Sequence, residues 1–238
     1  MNVTADPLPD IERTDAGLIT FSEWTLDSRE RQQTAMDAAI DAWTHVPWPD
    51  GLLAHTCLGD AEGPTLRHHS QWTSAAAFEH FQRTDSPQHF ASIQAAVGGR
   101  IDRHDLATYD LYRSFHSTSD LDKARARGCI VVVDIFLEGP NPATQRAWVD
   151  AVFDALDAEA PTGLIAAHFH TSTDGTRIVN YAEWTTAQAH RDALAAGVEG
   201  SINRDDAPEW RRVREFPGIA DLSRFTRYTR HRSTAVPA

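Results

Sequence analysis

The sequence predicts an α+β protein made of two tandem copies of one β-α-β-β-α-β unit, and three observations carry that prediction. The first is a constant spacing: Trp72 and Trp184 lie 112 residues apart, as do Gly51 and Gly163. At that spacing GLLAHTCLGDAEGPTLRHHSQWTS (51–74) lies over GLIAAHFHTSTDGTRIVNYAEWTT (163–186) without a gap, and six of 24 positions are identical. The second is a turn signal at the same place in each copy, at 60–63 and at Thr173-Asp174-Gly175, since Asp-Gly favours a tight hairpin turn. The third is that the same order of patterns flanks each hairpin.

Residues 18–26 and 129–137 are short apolar runs rich in β-branched and aromatic residues, which read as strands. Residues 29–45 and 142–159 read as helices, the second with Trp148, Val152, Phe153 and Leu156 at helical spacing. Asn141-Pro142 is a good helix start, because proline at the first helical position loses no needed N–H. After each hairpin a second helix is expected to begin behind Ser74 and Thr186, both good N-caps. A last strand is expected over 107–115 and 224–231. The spacing between copies grows to 116 at Tyr112 and Tyr228, so the second copy carries four extra residues before that strand.

This order is the split βαβ, ferredoxin-like unit. One such sheet has a face that needs covering, so two units in one chain suggest an internal pseudo-dimer packed as an α+β barrel. A further homodimer of whole chains is compatible with this. The expected divisions are a loose leader (1–16), a first domain (17–116), a polar linker (117–128), a second domain (129–232) and a loose tail (233–238).

Composition narrows the partners. With 41% hydrophobic and 24% charged residues the chain can bury a core. The net charge is −12, and the Arg-rich stretch 204–232 is interleaved with Asp205, Asp206, Glu209, Glu215 and Asp221. Nucleic acid is not an expected partner, because phosphate binding needs a concentrated basic face. Cys57 and Cys129 are the only cysteines, too few for a disulfide scaffold. No apolar run reaches the length of a membrane span, and the N-terminus has no apolar signal core. A cytoplasmic protein without membrane association is expected. No Gly-rich dinucleotide fingerprint opens a βαβ unit. His168 and His170, as alternate residues of one strand, could form a metal pair, but no acidic third ligand lies nearby in sequence.

Residues 170–194 (HTSTDGTRIVNYAEWTTAQAHRDAL), with GPNPATQ (139–145) and PGI (217–219), closely resemble the anthrone-oxidising members of the antibiotic biosynthesis monooxygenase family. The likeness spans about 129–231. The first copy is similar to more distant members through QWTSAAAFEHF (71–81) and SPQHF (86–90). The resemblance implies a dimeric α+β barrel that oxidises a phenolic anthrone-type aromatic polyketide to a quinone with O2 as co-substrate, using neither metal nor flavin. Such chemistry asks little of the protein. A deprotonated anthrone is electron-rich enough to reduce O2 itself, so binding, oxyanion stabilisation and proton handling suffice.

The resemblance also implies site residues. Asn180 stands where the family hydrogen-bonds a developing oxyanion, and Trp184 where an indole lines the pocket. His170 matches a histidine on the adjacent strand. His190 replaces a family tyrosine. A family arginine on the second helical segment falls among Arg204, Arg211 and Arg214; Arg214 is preferred, because Ala207-Pro208 starts the matching helix. Independently of the resemblance, Asn180, Ala182 and Trp184 share one strand face, and a buried amide such as Asn180 needs partners. A tryptophan at a strand end is also a common core residue, and His190 sits in a polar stretch that could be solvated.

At the 112 spacing His170 faces Leu58, Asn180 faces His68, His190 faces Phe78 and Trp184 faces Trp72. The first copy therefore lacks most of the polar set. It is expected to be the structural half, with Trp72 and His68 as substrate-contacting residues of any altered site. Two other functions fit the same residues. One is a ring-cleaving or ring-contracting oxygenase of angucycline-type quinols fed with external reduced flavin. The other is a non-catalytic or haem-handling protein of the same fold.

Overall fold

The computed structural model describes residues 4–5, 9–45, 47–117, 128–196 and 207–237. The protein is α+β. Among the described residues no helix is long and apolar enough to cross a membrane. The chain forms two compact units: unit 1 is Met1–Tyr109 with Thr229–Ala238, and unit 2 is Asp110–Tyr228.

Unit 1 contains β1 (Thr4–Ala5), β2 (Leu18–Thr25), α1 (Arg29–His45), β3 (Leu52–Asp60), β4 (Thr65–Trp72), α2 (Ala75–Thr84), α3 (Ser86–Val97) and the first half of β5 (Asp102–His116). Its strands lie in the order β3-β4-β2-β5. Unit 2 contains β6 (Cys129–Leu137), α4 (Pro142–Ala158), β7 (Leu164–Ser172), β8 (Arg177–Trp184), α5 (Ala187–Ala196), α6 (Pro208–Arg214) and β9 (Ile219–Ala235) as far as Tyr228. There the order is β7-β8-β6-β9. The strand pairs registered in each unit are antiparallel.

The repeat is visible residue by residue. Trp72 pairs with Leu18 and Leu52, and Trp184 pairs with Cys129 and Leu164. Gly51 (φ 83°) and Gly163 (φ 90°) both adopt the left-handed conformation that glycine alone takes at low cost. A Cβ on Gly163 would come within 2.7 Å of the Ala189 Cβ and 2.9 Å of Thr185 Oγ1. Ala77 and Thr73 crowd Gly51 in the same way. Gly163→Ala is therefore expected to destabilise the protein by about 1–3 kcal/mol, read as a lowered thermal midpoint. Gly139→Ala, with nothing near its Cβ, serves as the neutral control.

A second echo lies in the helices. Gln32 on α1 donates through Nε2 to the carbonyls of Asp60, Gly63 and Thr65. Gln145 on α4 donates to Ser172 O, Ser172 Oγ and Arg177 O. In each unit one buried amide fastens the first helix to both arms of the hairpin.

Ser74 and Thr186 cap their helices as expected, accepting from the N–H of Ala77 and Ala189. The expected single helix after Ser74 is broken, however. Asp85 ends α2, and Pro87 opens α3 in its first turn, where a missing N–H costs nothing. The last strands are longer than expected, running over Asp102–His116 and Ile219–Ala235.

The leader and tail are not loose where they are described. Thr4 and Ala5 pair with Ala235 and Thr234, Val236 N–H donates to Leu53 O, and the buried Arg13 donates to Val236 O. The reason is that Ile11 and Val236 are apolar residues buried in unit 1. Residues 1–3 and 6–8 of the leader, and 118–127 of the linker, lie outside the described residues.

Candidate active site

Unit 2 holds a cavity of about 210 Å³ between α4 and the faces of β6, β7 and β8. Its walls are mostly apolar, with Val133 and Ile135 from β6, Ala167 and Phe169 from β7, and Trp148 and Val152 from α4. Asn180, His190 and Arg214 bring polar groups into that wall.

Asn180 is on β8, opposite Val133 on one side and Phe169 on the other. Paired residues of an antiparallel ladder point to the same face, so all three meet the cavity. The side chain is buried, and Oδ1 has no hydrogen-bond partner among the described residues. A buried amide oxygen without a partner is uncommon. Rotating the amide by 180° presents its N–H at the same point.

His190 lies on α5, 1% exposed rather than solvated. Its Nδ1 accepts a 2.9 Å hydrogen bond from Arg227 Nε, which leaves its proton on Nε2. Burial, helped by the positive charges of Arg227 and Arg191, pushes its pKa down to about 4. At neutral pH the ring is thus an uncharged donor through Nε2. Trp184 packs edge-on against it, ring centroids 5.0 Å apart, and Phe225 does the same from the other side at 5.3 Å.

Arg214 is the last residue of α6. Trp148 Nε1 donates to Val213 O and Trp210 Nε1 donates to Glu159 O, so two indoles fix this short helix to α4. Pro208 at its first turn is the start expected from Ala207-Pro208.

Three expected residues lie elsewhere. His170 is fully buried on β7 but opposite Val179, whereas its neighbours of the other parity, Ala167 and Phe169, line the cavity. The period of two places His168 and His170 on the other face. There His168 Nδ1 bonds to Ser114 Oγ at 2.9 Å and His170 Nδ1 to Val179 O at 3.3 Å. Trp184 belongs to the core of unit 2 and backs His190 instead of lining the cavity. Arg211 is half-buried outside the lining; its carbonyl accepts the Glu215 N–H that ends α6. Arg204 lies outside the described residues.

Unit 1 has its own cavity, of about 350 Å³, and it is the more polar of the two. Trp72 and His68 line it as expected, together with His55, Ser70 and His89, which the sequence comparison missed. The expectation that the first copy lacks most of the polar set does not extend to this cavity. It followed only the residues opposite His170, Asn180 and His190, and His55 was hidden because its partner in the second copy is Ala167. Arg227 was missed as well, since nothing in the sequence joins it to His190. Among the described residues no three His, Cys, Asp or Glu side chains are grouped to hold a metal ion.

No protein-family model matches the chain, and no curated protein matches it. Solved structures do. An anthrone oxidase-like protein shares the fold with a TM-score of 0.68 at 17% identity, covering 92% of this chain and 93% of its own. A candidate monooxygenase from Fusobacterium nucleatum matches with a TM-score of 0.53 at 12% identity, over 90% and 93% of the two chains. A mutant chlorite dismutase from Candidatus Nitrospira defluvii, in complex with cyanide, matches with a TM-score of 0.53 at 11% identity, over 92% of each. At these identities the likeness establishes the fold, which oxygenase-named and dismutase-named proteins share.

Proposed function

We propose that the protein is a cofactor-independent monooxygenase that oxidises a phenolic, anthrone-type aromatic polyketide to a quinone with O2, and that unit 2 holds the reaction. The observation that carries this reading is the convergence of Asn180, His190 and Arg214 on one otherwise apolar cavity. The fold shared with an anthrone oxidase-like protein supports it. The two units are read as ferredoxin-like copies forming an internal pseudo-dimer, so that one chain does what a dimer of short chains does.

The apolar walls bind the flat rings, and water is excluded from the reacting carbon. The anthrone gives up its proton to bulk water as it enters, and its charge moves onto oxygen. The Asn180 amide, His190 Nε2–H and the Arg214 guanidinium are donors suited to that oxyanion. Preorganised donors in a dry site stabilise such charge without reorganising at the moment of reaction. The carbanion then reduces O2. The methylene carbon loses two hydrogens and gains one oxygen as a carbonyl, and the second oxygen leaves as water, so four electrons pass from carbon to O2. Arg227 acts through His190, holding the tautomer that donates.

The test is oxygen uptake by the purified full-length protein with emodin anthrone, without added metal, flavin or nicotinamide. One O2 consumed and one emodin formed per anthrone, above the rate of autoxidation, is the expected result. Turnover that appears only with reduced flavin would overturn it in favour of the ring-cleaving class.

A further inference from the structure

The cavity of unit 1 contains a hydrogen-bonded chain that unit 2 lacks. His68 Nδ1 lies 3.3 Å from His55 Nε2, and His55 Nδ1 lies 2.9 Å from Ser70 Oγ. All three side chains are at least nine-tenths buried, and His68 Nε2 has no partner among the described residues. His68 pairs with Ser22 on β2 and Asn180 pairs with Val133 on β6, so these two positions correspond. The residues matching His55 and Ser70 at the 112 spacing are Ala167 and Ala182. The chain is therefore a feature of unit 1 alone.

Around it the wall is aromatic. Trp24 packs against His68 with centroids 4.2 Å apart, and Trp43 stacks on His89 at 3.7 Å and 28°. Beside His68 Nε2, three more nitrogens of this wall have no partner among the described residues: Trp43 Nε1, Trp72 Nε1 and His89 Nδ1. Native proteins leave few buried polar atoms unpaired, and four in one wall point to a ligand that supplies oxygens to them. The volume falls within the range of small-molecule sites, roughly 300–1,000 Å³. Burial keeps the histidines uncharged, His68 at a pKa of about 3 and His89 at about 4, with His55 also well below its ordinary value.

We propose that this cavity is a second ligand site, for an uncharged flat aromatic molecule that carries a hydroxyl or a carbonyl, read by His68 at the end of the His68–His55–Ser70 chain. The chain has two neutral arrangements. If Ser70 donates to His55 Nδ1, then His55 Nε2–H donates to His68 Nδ1, and His68 Nε2–H faces the ligand as a donor. If every proton shifts to the other end of its bond, Ser70 accepts and His68 Nε2 becomes an acceptor. The first arrangement suits a quinone carbonyl and the second a phenol. One site thus takes both oxidation levels of the same ring without gaining charge. This inference is independent of catalysis in unit 2.

The experiment uses the full-length protein and three probes of one size, namely naphthalene, 1-naphthol and 1,4-naphthoquinone, with equilibrium dialysis as the readout. Naphthol and naphthoquinone are expected to bind within about tenfold of each other, each at least about tenfold tighter than naphthalene, the worth of one buried hydrogen bond. Because unit 2 has its own oxygen-reading amide, the comparison is made in Asn180→Leu protein, so that the preference read is that of unit 1, where it is expected to remain. His68→Leu is expected to abolish it, and His68→Gln, whose amide also donates or accepts, to retain most of it. Near-ultraviolet circular dichroism checks that each variant is folded. Binding of all three probes with equal affinity would overturn the proposal, as would a preference that follows Asn180 and is untouched in folded His68→Leu. The latter outcome would assign the oxygen-reading site to unit 2 and leave the oxygenase reading intact.

Discussion

Replacing Asn180 with alanine is expected to slow oxidation of an anthrone by roughly 10²–10³-fold, equivalent to about 3–4 kcal/mol of lost oxyanion stabilisation. The size follows from the surroundings. In an apolar cavity a developing charge has few partners to offset its desolvation, so each donor counts for more than in water. The same surroundings make the variant a clean one. Asn180 Oδ1 has no hydrogen-bond partner among the described residues, so truncation breaks no network at that atom, and the thermal midpoint should change little. Asn180→Asp should be at least as damaging, because a carboxylate cannot donate and brings like charge to the oxyanion. The check is turnover measured beside thermal unfolding for both variants. A loss below about tenfold in a folded Asn180→Ala protein would remove this residue from the chemistry.

The second large effect is on stability against acid. His55, His68 and His89 in unit 1 are held uncharged by burial, with His68 at a pKa of about 3 and His89 at about 4. In the unfolded chain each would titrate near 6.5. The folded values are depressed, so below pH 6.5 the unfolded state binds more protons and stability falls with falling pH. Each histidine contributes up to about 1.4 kcal/mol per pH unit, so the three together remove on the order of 6 kcal/mol by pH 5. That is comparable with the whole stability of an ordinary domain, about 5–15 kcal/mol. The urea midpoint is expected to be level above pH 7 and to drop steeply between pH 6.5 and 5. His89→Phe, which keeps a ring against Trp43, should remove about a quarter of the slope, since His190, held at about 4 in unit 2, adds to these three. A midpoint unchanged from pH 7 to 5 would mean that the histidines ionise within the fold.

Much of the fold was legible because it is written twice. The 112 spacing, the turns at 60–63 and 173–175 and the Ser74 and Thr186 caps all reappear as elements in register. The ends of β5 and β9 were not legible. Residues such as Asp102, Arg103 and His104 alternate no apolar face, and they are strand only because β2 offers a ladder to pair with. In the site, Asn180, His190 and Arg214 followed from resemblance and do meet in one cavity. His170 did not, although its parity was available: the turn at 173–175 sets Asn180 opposite Phe169, which turns His170 to the far face. The histidine chain of unit 1 stayed hidden because its members are 13 and 15 residues apart across a hairpin, and no motif joins them.

The division of the chain also fixes an order of assembly. Unit 2 is one continuous stretch, Asp110–Tyr228, whereas unit 1 begins earlier and takes its last residues from Thr229–Ala238. The end of β9 borders β3, through Val236 N–H to Leu53 O and Ser233 Oγ to Thr56 Oγ1. A ribosome therefore finishes unit 2 first, while the half made earlier waits with one edge of its sheet open. The pairing of Thr4–Ala5 with Thr234–Ala235 is formed only when translation of this stretch is done, so nascent unit 1 carries an unpaired strand edge until then.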